Sequence, residues 1–154
     1  MPESEELVDL EPLSTQENLR LLGVGRVGRV GFSVDGLPHV LPVNYRADDD
    51  GTVVFRTTAG SILTAVAGQP VAFEVDGFDE HRRSGWSVCV SGQARELSSA
   101  DDPRARELRQ LNVVTWAPGL RQRWFAVAPE QITGRRLPLD ATPSDFGWMP
   151  GIVG

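Results

Sequence analysis

Residues 25–46 read GRVGRVGFSVDGLPHVLPVNYR, and the reading of this stretch decides the fold. Val27, Val30 and Phe32 are packing residues of one strand, and residues 38–46 form a second. Asp35-Gly36 between them is the strongest two-residue hairpin signal in the chain. Gly25, Gly28 and Gly31 follow the spacing G-x-x-G-x-x-G, which is not the dinucleotide fingerprint, and no helical pattern comes after them. Small residues that let a neighbour approach closely are the better reading. Pro42 cannot donate a ladder hydrogen bond, so the second strand is an edge or is bulged there. Backbone groups near Pro42, Val43, Asn44 and Tyr45 are then available for another use.

Working outward, residues 53–67 read VVFRTTAGSILTAVA. A β-branched and aromatic run gives way to a hydroxyl-rich turn, and Ser61 is placed to cap a helix carrying Ile62, Leu63, Val66 and Ala67 on one face. Arg56, Thr57, Thr58 and Ser61 beside a helix N-terminus make a seat for one phosphate group. The same stretch also reads as a capped helix after a strand with a solvated arginine. No G-x-x-x-x-G-K-[ST] loop for a nucleoside triphosphate occurs.

Before the hairpin, residues 1–12 carry five carboxylates and read as a disordered acidic arm. Ser14 to Glu17 match a capping box, followed by a helix with Leu19 and Leu22 that ends at Gly23 and covers one end of a sheet. Further strands are expected over residues 71–75, 86–97 (kinked at Gly92) and 124–137 (interrupted at 128–130). Asp102-Pro103 opens a helix whose inner face is marked by Leu108 and Leu111. Residues 138–154 show no period and read as an extended tail. Hairpin turns dominate, so the fold class is α+β: a mainly antiparallel six-stranded barrel flanked by short helices. Runs such as VLPV, VVF and VAF are apolar on consecutive residues, so both sheet faces need cover. Three modest helices are too few, and a homodimer is expected.

Composition narrows the function classes. A chain of 154 residues with 40% apolar and 23% charged residues suits one globular domain. The net charge of −6 argues against a nucleic-acid partner. All fifteen basic residues are arginine, which excludes Schiff-base chemistry on lysine. One cysteine allows no intrachain disulfide. No signal peptide or membrane-spanning run is present, so the expected location is the cytoplasm. The two histidines, His39 and His81, have no metal-ligand spacing, and no metal site is expected.

The order of motifs resembles the pyridoxamine 5′-phosphate oxidase-like flavin-binding proteins, the split β-barrel fold. More narrowly, it resembles the branch that includes nitroimidazole-resistance proteins and flavin or deazaflavin binders. Gly28-Arg29-Val30-Gly31, Asp35-Gly36-Leu37-Pro38, Pro42-Val43-Asn44-Tyr45, Phe55-Arg56-Thr57 with Gly60-Ser61, residues 71–76, Gly85-Trp86-Ser87-Val88 and Thr133-Gly134-Arg135-Arg136 carry it, within a domain of residues 13–137. The resemblance implies a homodimer with two FMN sites at its interface, F420 being the alternative cofactor. The ring would lie along main chain at Pro42, Val43, Asn44 and Tyr45. The phosphate would meet Arg56, Thr57, Thr58, Ser61 and the N–H of Ile62. Trp86 and Ser87 would border the site, and Arg135 or Arg136 would reach across from the second chain. Many relatives carry Lys where this chain has Ile62, so one phosphate-pairing charge is missing.

The implied activity is an oxidoreductase that reduces a small organic substrate, with a non-enzymatic flavin carrier or sensor as the competing class. His39 and Tyr45 are the catalytic candidates. Against that stand a half-exposed strand histidine and a core tyrosine with its hydroxyl at the rim.

Overall fold

The computed structural model describes residues 11–98, 102–117, 119 and 123–137. The acidic arm up to residue 10 and the tail from residue 138 lie outside the described residues. In chain order the elements are β1 (Glu11–Pro12), α1 (Thr15–Val24), β2 (Val27–Val34), β3 (Leu37–Ala47), β4 (Val53–Thr57), a single 3-10 turn (Ile62–Val66), β5 (Pro70–Asp79), β6 (Ser84–Glu96), α2 (Pro103–Leu108), β7 (Arg123–Val127) and β8 (Gln131–Leu137).

All the strand pairings are antiparallel. The order β6-β5-β2-β3-β4-β7 closes through the β6–β7 pairing into the six-stranded split barrel that the sequence leads one to expect. Strand β8 extends the sheet beyond the barrel and is itself paired with β1, so the last two residues of the acidic stretch are held opposite Arg135 and Arg136. The split lies along β6. Its Gly85–Ser91 half pairs with β8, and its Ala94–Glu96 end pairs with β7. Gly92 stands between, because a Cβ there would lie 2.2 Å from the carbonyl oxygen of Ala128, where the chain crosses from β7 to β8. The single strand expected over residues 124–137 is therefore two strands, broken at that crossing.

The period-2 alternation of the strands builds the interior. Val30, Phe32, Val43, Tyr45, Val53, Phe55, Phe73, Val75, Val88, Val90, Phe125 and Val127 form one buried cluster, and α1 closes it with Leu21 and Leu22. Ser14 caps α1 by accepting the N–H of Glu17 at 3.2 Å. Gly28 makes room for the Phe73 ring, which would sit 2.2 Å from a Cβ at that position. The hairpin turn has φ of 51° at Asp35 and 78° at Gly36, the pair of positive values that a type I′ turn requires.

The consecutive apolar residues of β4 are explained by a second core. Val53 and Phe55 point into the barrel, whereas Val54 points outward under Ala105, Leu108 and Val113, next to Leu97 and Ala126. Asp102 caps α2 by accepting from Arg104 and Ala105. The outer face of β2, β3, β5, β6 and β8 is different. It displays Gly31, Val40, Ala72, Cys89, Ser91 and Thr133 (residues in register across the strands), and none of them belongs to either core. Cys89 is half-buried on that face.

The helix expected after Ser61 is a five-residue 3-10 turn. At three residues per turn, positions i and i+3 share a face, so Leu63 and Val66 are buried while Ile62 and Ala67 are exposed. No helix among the described residues is long and apolar enough to cross a membrane.

Candidate functional site

The site develops where β4 leaves β3. Pairing between these strands is confined to Tyr45–Ala47 opposite Phe55–Val53, and beyond it Arg56 and Thr57 stay paired with Trp124 and Arg123 of β7. The β3 edge that faces away from β2 thus has no strand partner from Leu37 to Val43 among the described residues. Tyr45 donates its N–H to the carbonyl of Arg26 at 3.1 Å, which sets the register of the ladder. Backbone groups alternate in direction along a strand, so those of Pro38, Val40 and Pro42 turn to the open edge. Because proline has no N–H, this edge is rich in acceptors, and both prolines sit where their missing donors leave no ladder bond unmade.

Beside this edge, Arg56 extends from the outer face of β4. Its guanidinium donates to the carbonyl of Val113 at 3.2 Å and lies 4.6 Å from the centroid of the Trp124 ring. Arg109 reaches the same ring at 5.7 Å, and Arg46 donates to the carbonyl of Asn112 at 3.0 Å. Three arginines therefore gather on one flank of a chain whose net charge is −6. Ser61 accepts the N–H of Leu63 at 3.1 Å through Oγ, which leaves its hydroxyl proton to donate elsewhere. Thr58 is half-buried and Ile62 is exposed, whereas Thr57 is buried in line with Val53 and Phe55. A single 3-10 turn sums few peptide dipoles, so positive potential here rests on the arginines rather than on a helix end.

The remaining candidates separate by face. Asn44 and Pro42 point outward from β3, while Val43 and Tyr45 point into the barrel. Tyr45 is a core residue: its hydroxyl donates to the carbonyl of Leu22 at 2.5 Å and its ring packs edge-on to Phe73. Burial pushes its pKa up to about 12. Only its main chain is available to a ligand. His39 is half-buried and stacks on Phe32 with ring centroids 5.5 Å apart, and both line a hollow of about 350 Å³ with Ser33, Pro38 and Ala72.

Trp86 and Ser87 are neighbours in β6 and therefore face opposite sides of the sheet. Trp86 lines a hollow of about 440 Å³ with Phe78, Arg20 and Arg136, and Ser87 lies in register with Asp76 and Arg135 on the outer face. Arg136 is held by Glu17 of α1 at 2.6 Å, whereas Arg135 is exposed. Within one chain, the β6–β8 candidates are not brought to the flank formed by β3 and β4.

Sequence reasoning missed the segment after α2. Asn112 and Val113 receive Arg46 and Arg56, and the N–H of Trp116 donates to Oδ1 of Asn44 at 2.9 Å. The only signal was a tryptophan in the aperiodic run Asn112-Val113-Val114-Thr115-Trp116. Sequence reasoning missed Arg46 and Arg109 as well, since neither lies in a recognisable motif.

Comparison with known proteins is consistent with this architecture. An uncharacterized protein of Mycobacterium tuberculosis is 37% identical over 135 residues, covering 84% of this chain and 86% of its own length. An FAD-binding protein from Mycobacterium smegmatis is 35% identical with a TM-score of 0.69, covering 82% of this chain and 97% of that one. An FAD-binding protein from Mesorhizobium loti, 24% identical with a TM-score of 0.66 over 83% of this chain and 98% of that one, shares the fold. The family profile described as pyridoxamine 5′-phosphate oxidase matches residues 14–136, from the cap of α1 almost to the end of β8, and the chain belongs to that family.

Proposed function

We propose that this chain is a flavin-binding oxidoreductase that acts on a small organic substrate as a homodimer. The observation that carries the reading is an acceptor-rich β3 edge left unpaired where β4 departs, with Arg56 at the end of β4 and Ser61 capping the turn that follows it. The residues present suit the riboflavin 5′-phosphate unit common to FMN and FAD. Arg56 supplies fixed positive charge, and the hydroxyls of Thr58 and Ser61 supply donors. The carbonyls along Pro38, Val40 and Pro42 suit the imide N–H of an isoalloxazine ring. A bound flavin supplies the redox chemistry; the protein supplies position and electrostatics. FMN is the first choice, and the similarity to an FAD-binding protein keeps FAD beside it.

The same geometry supports the homodimer. The outer face of β2, β3, β5, β6 and β8 has no covering helix among the described residues, and it carries Ser87 and Arg135. A second copy packed on it is the route by which those residues could reach a β3–β4 flank, since within one chain they lie apart from it.

The test is titration of the protein with FMN and with riboflavin, which lacks the phosphate. Arg56→Ala with Ser61→Ala removes charge-assisted bonds of about 1.5–3 kcal/mol, so FMN affinity should fall about tenfold or more. Riboflavin affinity should change far less. Equal FMN affinity in variant and parent rejects the phosphate seat. Mass spectrometry of the co-purifying ligand separates FMN, FAD and F420. Turnover of NAD(P)H or reduced F420 with a nitroaromatic acceptor separates an oxidoreductase from a carrier.

A further inference from the structure

Trp116 is 72% exposed, the most exposed of the large apolar side chains among the described residues. Its backbone is nevertheless fixed. Three outward-facing side chains of the barrel hold this segment: Arg46 on Asn112, Arg56 on Val113, and Asn44 on Trp116 itself. Val113 anchors the segment further by burying its side chain under α2. An indole left in water on an immobilised backbone is arranged as a platform, because the ordering cost of that segment is met before any ligand arrives. Leu37 and Val40 are also exposed, but they belong to a hairpin and its open edge. Phe78 belongs to the β5–β6 strand pair and is tied to Gly85 by register.

The tether is also specific in place. Asn44 and Arg56 are adjacent to the β3 edge where pairing with β4 ends, so the segment from Val113 to Trp116 is attached to the two strands that frame the proposed flavin site, Trp116 itself to β3. We infer that Trp116 is a positioning residue of that site, stacking its indole on the flavin ring while Asn44 holds its main chain. The inference rests on the flavin reading above and adds to it the residue that recognises the ring, as opposed to the phosphate. An aromatic face recognises FMN, FAD and riboflavin alike, because all three share the isoalloxazine.

The experiment titrates the full-length protein, Trp116→Ala, Trp116→Phe and Asn44→Ala with FMN and with riboflavin, following both affinity and the fluorescence of the bound flavin. Stacking of a flat ring on an aromatic side chain supports a loss of about tenfold in affinity for Trp116→Ala, equal for the two flavins. The bound flavin should also brighten, since a stacked indole quenches it. Trp116→Phe should retain most of the affinity, and Asn44→Ala should shift in the same direction by less. Affinity for both flavins within about twofold of the parent, with unchanged bound-state fluorescence, overturns the inference. So does a Trp116→Ala protein that only dissociates to monomers in light scattering while holding flavin as before. If the parent protein binds neither flavin, the functional reading fails and this inference fails with it. If Trp116→Ala weakens both flavins but Arg56→Ala with Ser61→Ala spares FMN, the phosphate seat fails and the stacking role stands.

Discussion

The phenol of Tyr45 donates a 2.5 Å hydrogen bond to the carbonyl of Leu22, joining the middle of the barrel to the helix that closes it. Both residues are buried, and Leu22 lies in the last turns of α1, where helix carbonyls have no partner within the helix. The bond satisfies two polar groups that water cannot reach. It places the side chain of Tyr45, which the sequence alone leaves open between ligand contact and core, within the core.

Tyr45→Phe keeps the ring against Phe73 and leaves the Leu22 carbonyl without its donor. The variant should lose about 1–3 kcal/mol of stability in denaturant unfolding, the cost of a buried unsatisfied group. Affinity for FMN should be unchanged. A protein of full stability that no longer binds FMN would return Tyr45 to the site.

Ile62 is exposed beside Ser61 and brings no charge to the proposed phosphate seat. Ile62→Lys adds an ammonium there, at a position where no core packing is lost. FMN should bind about tenfold more tightly or better, in line with about 1.5–3 kcal/mol for a hydrogen bond to an ionised group. Riboflavin should bind as before. An equal gain for both flavins would place the effect outside the phosphate.

Ala72 stands exposed on the outer sheet face, in register with Gly31 on one side and Ser91 on the other. An arginine there has no room in a close sheet-to-sheet contact but costs the isolated barrel little. Ala72→Arg should move the mass in light scattering from dimer to monomer while the thermal midpoint stays near that of the monomeric fold. A dimer that persists in Ala72→Arg excludes this face as the interface.

Glu74 lies on the same face in an ion pair with Arg29 at 3.3 Å, and Asp76 contacts that arginine at 2.8 Å. Burial and then the neighbouring Asp76 carboxyl push the pKa of Glu74 up to about 7, against the opposing pull of Arg29. The folded protein therefore holds this proton more tightly than the unfolded chain does. The stability it contributes is complete below the ordinary glutamate range and is lost as pH rises through about 7. The denaturant midpoint should fall between about pH 5 and pH 8, and Glu74→Gln should flatten that fall. Parallel pH profiles for parent and variant would show that another group titrates.

Much of the barrel is legible in the sequence because its signals are local. Asp35-Gly36 fixes a hairpin through two positive φ values, Ser14 and Asp102 announce helix starts, and Pro42 marks an open edge. The pair Val53-Val54 signals that both faces of β4 are covered, but the sequence turned to a second subunit for the outer one, which the structure covers with α2 and Val113. The turn after Ser61 was less legible. Its apolar residues suit an α-helical face, but only Leu63 and Val66 reach the core, so one tight turn satisfies the packing.

By itself, then, the sequence determined the strand order of hairpins, the capped helices and the arginine and hydroxyl residues gathered near residue 56, all of which depend on neighbours a few positions apart. Only the tertiary structure decided which of those side chains share a face. Alternation along β3 and β6 sends Tyr45 and Trp86 to one side and Asn44 and Ser87 to the other. Closure of the barrel then carries residues 112–116 back onto β3 and β4, across 57 to 72 positions of sequence. Contacts at that separation leave no periodic trace in the chain, because the partners are chosen by the path of the backbone and not by their spacing.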